Sequence, residues 1–139
     1  MAVKAIAKSV RMSPRKVGVV ASLVRGRSVA DAITILEHTP RRSALPVKKV
    51  IESARANADY NHGYKPETLK ITEITVNGGP SYKRFKPIAR GGAHPYQLRT
   101  SHISVTVDGE KRAAKSNKPK AESSKLKAGS QKTPAKEKK

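Results

Sequence analysis

Between Gly79 and His102 the chain reads Gly-Pro-Ser-Tyr-Lys-Arg-Phe-Lys-Pro-Ile-Ala-Arg-Gly-Gly-Ala-His-Pro-Tyr-Gln-Leu-Arg-Thr-Ser-His. Five of these residues are basic (Lys83, Arg84, Lys86, Arg90, Arg99), three are aromatic (Tyr82, Phe85, Tyr96) and none is acidic. Gly91 and Gly92 mark the middle, and residues 69–76 and 103–107 on either side have strand character. This pattern predicts the two arms of a hairpin running out from a small domain. The arm has too few apolar positions for a core and no carboxylate to balance its charge, so it needs a polyanion to lie against. RNA is the polyanion expected: Lys and Arg neutralise phosphates, and Tyr82, Phe85 and Tyr96 suit stacking on unpaired bases. About 11 residues lead from Pro80 to Gly91, a reach of about 35 Å at roughly 3.3 Å each. A lone two-stranded ribbon is marginal in water. Pro87 and Pro95 remove ladder donors from both arms, so an irregular ribbon moulded by its partner is expected.

The whole chain carries the same charge signature. It has 139 residues, 30 Lys and Arg against 10 Asp and Glu, a net charge of +20 and a pI near 10.6. That balance points first to nucleic acid and second to an anionic membrane surface. With no cysteine, a disulfide framework and a thiolate metal site are excluded. No apolar run reaches the roughly 18 residues of a membrane span, and the N-terminus lacks the apolar stretch of a signal peptide, so a cytoplasmic protein with no membrane partner is expected. Residues 110–139 hold 11 basic and 3 acidic residues, with Leu126 as their one large aliphatic side chain. That segment is expected to be a basic tail, disordered when free. Residues 1–109 are expected to form one α+β domain that includes the extended hairpin at 79–102.

Within that domain, residues 3–10 suit a short strand. Ser13-Pro14 is a helix start, a hydroxyl cap followed by proline at the first position. Val17, Val20, Ala21 and Val24 then line one helical face, and Gly26 closes the helix in a left-handed conformation. Ser28 with Asp31 suggests the next cap, followed by a stripe of Val29, Ile33 and Leu36 that ends near Thr39-Pro40. A third helix is predicted over about 43–60 from Ala44, Val47, Ile51, Ala54 and Ala58. Pro46 fits it only if Ser43 is the cap, so that proline lies in the first turn; otherwise the helix kinks. Asn61, His62 and Gly63 read as a turn. Leu69 and Ile71 alternate out of phase with Ile74 and Val76, which predicts a bulge near Thr72 and Glu73. Ile103, Val105 and Val107 alternate cleanly. The expected fold is α+β: three helices packed on a small antiparallel three-stranded sheet, with a long protruding β-hairpin.

Catalytic parts are missing from this inventory. His38, His62, His94 and His102 stand far apart, and none has a second ligand at metal spacing. Asp31 is a cap, while Glu37, Glu52 and Glu73 suit solvated faces. Gly78-Gly79-Pro80 leads into the basic arm and opens no helix, so it is no phosphate loop. No enzyme activity, cofactor, metal or small-molecule substrate is expected.

Three blocks of residues resemble one family. Ser13-Pro14-Arg15-Lys16-Val17 with Val20 and Val24-Arg25-Gly26-Arg27 looks like the first-helix signature of the large ribosomal subunit protein twenty-two family, bacterial type. Lys48-Lys49-Val50-Ile51-Glu52-Ser53-Ala54 with Ala56-Asn57-Ala58 is similar to its long helix. Gly79-Pro80-Ser81, Lys83-Arg84, Pro87, Ala89, Gly91 and Arg99-Thr100-Ser101-His102-Ile103 resemble its extended hairpin. The resemblance spans residues 5–108. It implies a structural protein that binds 23S-type rRNA, joins several rRNA domains during large-subunit assembly and touches neighbouring ribosomal proteins. Its hairpin tip would line the peptide exit tunnel and meet the nascent peptide.

Carried over by position, the RNA face of the globular part is Arg11, Ser13, Arg15, Lys16, Arg25, Arg27, Lys48 and Lys49; on the hairpin the expected RNA-binding residues are Tyr82, Lys83, Arg84, Lys86, Arg99 and His102. The tunnel tip is Arg90, Gly91, Gly92, Ala93 and His94. Gly18, Ile88, Gly92 and Pro95 replace arginines common in the family. The alternative is a non-ribosomal, basic protein that compacts nucleic acid, suggested by the Lys/Pro/Ala/Ser-rich tail.

Overall fold

The computed structural model describes residues 2–112. Seven elements follow in order: β1 (Val3–Val10), α1 (Pro14–Val24), α2 (Val29–His38), α3 (Ala44–His62), β2 (Lys70–Pro87), a short 3-10 turn (Ala89–Gly91) and β3 (Ala93–Asp108). The strands form one antiparallel sheet in the order β1-β3-β2, so the last strand lies in the centre. The fold is α+β, with a long hairpin made by the outer parts of β2 and β3.

Alternation on β3 builds the core. Ile103, Val105 and Val107 are fully buried beneath the helices, while Ser104 and Thr106 between them lie half-buried on the other face. Val3 and Ala5 of β1 and Ile71 and Ile74 of β2 pair beside the same inward row. Above it lie Val17, Val20, Ala21 and Val24 of α1 and Val47, Val50, Ile51, Ala54 and Ala58 of α3. Each fully buried Val, Leu or Ile contributes about 1.5–3 kcal/mol relative to exposure. Twenty-two apolar residues close this single cluster, and none of them belongs to the hairpin.

The helix ends follow from local chemistry, with two departures from expectation. Ser28 caps α2 as predicted: its Oγ donates to the Asp31 carboxylate at 2.7 Å and accepts the Asp31 N–H at 3.2 Å. Ser13 and Ser43 do precede α1 and α3, but neither side chain caps its helix. The Ser13 carbonyl serves instead, accepting from Lys16 and Val17. Pro46 lies in the first turn of α3, where its missing N–H costs no bond. Asn61 and His62 are not a turn; they complete the last turn of α3, and only Gly63 is left-handed (φ 64°). The helix runs on because Gly63 closes it, its N–H reaching Asp59 while the Tyr64 N–H reaches Ala58.

Glu110, Lys111 and Arg112, at the start of the segment read as tail, dock on the end of α3. The Lys65 N–H donates to the Glu110 carbonyl, the Arg112 N–H to the Gly63 carbonyl, and the Arg112 guanidinium meets Asp59 at 3.1 Å. The rest of that segment, residues 113–139, lies outside the described residues.

Candidate nucleic-acid interface

Three bulges decide where the basic side chains point. The first, at Thr72 on β2, is the one the sequence predicts. The second lies at Gly79 and Pro80, where two residues of β2 face one of β3. A bulge shifts the register by one residue and so exchanges the faces of every residue beyond it. Tyr82, Arg84 and Lys86 therefore leave the helix side and share the outer face with Leu98, Tyr96 and His94, their direct partners. Ser81, Lys83, Phe85 and Pro87 share the helix side with Arg99, Gln97, Pro95 and Ala93.

The third bulge lies on β1 at Ser9 (φ 56°), whose N–H donates to His102 Nδ1 at 2.9 Å. His102, assigned to RNA by resemblance, thus also pins β1 to β3. Opposite it, Thr100 Oγ1 donates to the Pro80 carbonyl at 2.6 Å. The root of the hairpin is fastened on both sides.

Beyond the root the ribbon stands alone. Every residue from Pro80 to Gln97 is exposed. The ladder is more regular than its prolines suggest: pairing runs unbroken from Ser81 with Arg99 to Pro87 with Ala93. The Ile88 N–H donates to the Gly92 carbonyl at 2.9 Å. Antiparallel pairs alternate between bonded and non-bonded, so Pro87 and Pro95 fall at non-bonded positions and take no bond from the ladder. Arg90 (φ 62°) and Gly91 (φ 72°) turn the tip, and Arg90, Gly91, Gly92, Ala93 and His94 are all exposed.

At the root, a cleft of about 590 Å³ gathers Arg11, Ser13, Lys16 and Arg99 with Arg41, Arg42 and Ser43. A second hollow of about 350 Å³ on the other side of Arg11 and Leu98 is lined by Tyr82, Arg84, Ser9 and Thr100. Arg41 and Arg42 are hard to recognise from the sequence because a pair of arginines between two helices looks like a solvated loop. Their one local signal is position, immediately before the start of a helix.

The remaining predicted residues lie elsewhere. Arg25 and Arg27 follow the C-terminal end of α1, about 16 Å from the cleft at 1.5 Å per residue. The Arg25 guanidinium donates to the Ile74 carbonyl at 3.3 Å, and Arg27 Nε to the Leu23 carbonyl at 3.0 Å. Arg15 is exposed in the first turn of α1, and Lys49 lines a groove between α3 and β1. Lys48 is engaged with Glu37 at 2.8 Å and Glu52 at 3.5 Å, which ties α3 to α2. The Lys48 ammonium holds the Glu37 carboxyl below its usual range, and Glu37 in turn raises the Lys48 ammonium. Among the described residues no cluster of His, Cys, Asp and Glu could hold a metal ion, and no helix is long and apolar enough to cross a membrane.

The family model described as ribosomal protein L22p/L17e matches residues 5–108. The chain belongs to that family. Three quarters of its length is covered, from within β1 to the last residue of β3, so the match takes in both the helical domain and the whole hairpin. A member of the L22p/L17e family is a protein of the large ribosomal subunit. The DNA-compacting alternative gains nothing from this assignment.

Proposed function

We propose that this L22-family chain is a structural, non-catalytic protein that binds 23S-type rRNA and joins several of its segments during large-subunit assembly. Neighbouring ribosomal proteins are its other partners, on subunits in the cytoplasm. The observation that carries this is the hairpin: a ribbon with every residue from Pro80 to Gln97 exposed, five cations in or beside it and no carboxylate. Such a ribbon has no folding reason to protrude, and phosphate is the partner that gives it one. The face carrying Tyr82, Arg84, Lys86 and Tyr96 combines charge with stacking surface, which suits RNA whose bases are unpaired.

The tip lines the peptide exit tunnel and meets the nascent peptide in this proposal. Support comes from its slimness, because Gly91, Gly92 and Ala93 place little side chain at the end of the ribbon. Replacing Lys83, Arg84 and Lys86 together with alanine is expected to impair entry into large subunits, read by sucrose-gradient fractionation. Circular dichroism of the free chain should keep its helix signal, since none of the three touches the core. Normal incorporation of the triple variant would rule out the shaft as an RNA clamp.

A further inference from the structure

Five cations converge on the root cleft from distant parts of the chain: Arg11 after β1, Lys16 in α1, Arg41 and Arg42 between α2 and α3, and Arg99 on β3. The ion pairs among the described residues all lie elsewhere, and none of these five side chains has a hydrogen-bond partner there. Two helices, α1 of 11 residues and α3 of 19, begin at the cleft with no acidic residue in the first turn and no side-chain cap. Their positive dipole ends add to the field of the cations. An independent sign of a ligand is Ser43: the residue is 3% exposed and lines the cleft, and its hydroxyl, open at the cleft surface, has no hydrogen-bond partner in the protein. A hydroxyl held at the wall of a cationic cleft with no protein partner is free to donate to an oxygen of a bound anion. Unpaired cations, two helix starts and a hydroxyl free to donate make a receptor for a tetrahedral oxyanion.

One phosphodiester carries a single negative charge, which leaves most of five cations unmet. We infer that the root cleft is an oxyanion site that takes two or more phosphates brought together where an RNA strand bends. The strand leaves over Arg11 and Leu98, the ridge shared with the second hollow, so that a base reaches Tyr82. This rests on the rRNA-binding function proposed above and specifies the form of RNA held at the hairpin root: bent and unpaired, because a regular duplex spreads its phosphates along a track while this cleft gathers charge in one place.

The test follows backbone amide resonances of the full-length chain at fixed ionic strength, with inorganic phosphate, a short oligouridylate and a short RNA duplex added separately. Phosphate is expected to move the Lys16, Arg42 and Ser43 amides saturably and leave Arg25 and Arg27 still, and oligouridylate should displace it more effectively than duplex. R41A/R42A should weaken both ligands by about tenfold and lower the slope of log K against log salt for oligouridylate by about 1.4. S43A should weaken phosphate by about threefold with an unchanged melting temperature, because the hydroxyl has no bond in the protein to lose. Phosphate shifts that never saturate and spread equally over Lys83 and Arg84 would overturn the site. Saturable phosphate binding with no oligouridylate effect at these amides would assign the cleft to free anions and overturn the RNA assignment. Duplex matching oligouridylate would overturn the bend. If R41A/R42A enters large subunits with undiminished salt resistance while the Lys83/Arg84/Lys86 variant does not, the cleft inference fails and the proposed function stands. If the unaltered chain is absent from large subunits, it is the function that fails.

Discussion

Gly79 shows how a single side chain would disturb the hairpin root. A Cβ built there stands 2.5 Å from Thr100 Oγ1 and 3.2 Å from the His102 ring. Neither neighbour is free to retreat: Thr100 is buried and bonded to Pro80, and His102 holds Ser9. G79A is therefore expected to destabilise the domain by about 1–3 kcal/mol, the usual cost of overpacking, measured by urea unfolding. G78A makes the control, because a Cβ at Gly78 meets nothing within 4 Å. At this scale much was legible in the sequence. Ser28 with Asp31 announced a cap that the structure contains, because capping depends on residues three apart. Ser13 before Pro14 and Ser43 before the helix of Pro46 were also expected as caps, but they lack an acidic residue three positions on; neither side chain caps its helix, and both line the cleft instead. Arg41 and Arg42 gave no sign of their role, because what makes them a site is proximity to Arg11 and Arg99, far away in sequence.

Among the elements, β2 is the one whose detail matters most. Counting alternation outward from Ile74 and Val76 would put Tyr82, Arg84 and Lys86 on the helix side. The bulge at Gly79 and Pro80 reverses that assignment and leaves the helix side to Lys83 and Phe85. Replacing Tyr82 and Arg84 with alanine is expected to strip side chains from the outer face alone and to leave the strand register unchanged, because they stand opposite Leu98 and Tyr96 on that face. RNA affinity of the free chain, measured by fluorescence anisotropy, should then fall by about tenfold, a loss typical of one or two lost contacts. Helix content should be kept, since the core lies inward of the bulge. Undiminished affinity would show that the outer face is not the one RNA meets. The bulge at Thr72 was visible as a phase slip in buried residues; the one at Gly79 was not, because exposed residues carry no hydrophobic phase to slip. The prolines misled for a related reason. Composition says that a donor is gone, but only pairing says whether that donor would have faced the ladder.

For the whole molecule, stability is expected to divide at the hairpin root. Amide hydrogen exchange in the free chain should be slowest at Ile103 and Val105, buried in the centre of the sheet, and fastest along the hairpin, whose residues bury nothing. Within intact large subunits the hairpin amides should slow by orders of magnitude. A hairpin as protected as Val105 in the free chain would mean that it supports itself and has no need of RNA. The sequence by itself determined the α+β class, the extent of the helices to within a few residues and the existence of a carboxylate-free arm, because periodicity, caps and charge act between near neighbours. It also carried the family motifs, since these are short runs of residue types. Only the tertiary structure decided which face of the arm presents Tyr82, Arg84 and Lys86, and that Arg11, Lys16, Arg41, Arg42 and Arg99 meet in one cleft. Both depend on strand register and on the return of α3 beside α1, long-range pairings in which one inserted residue changes every neighbour beyond it.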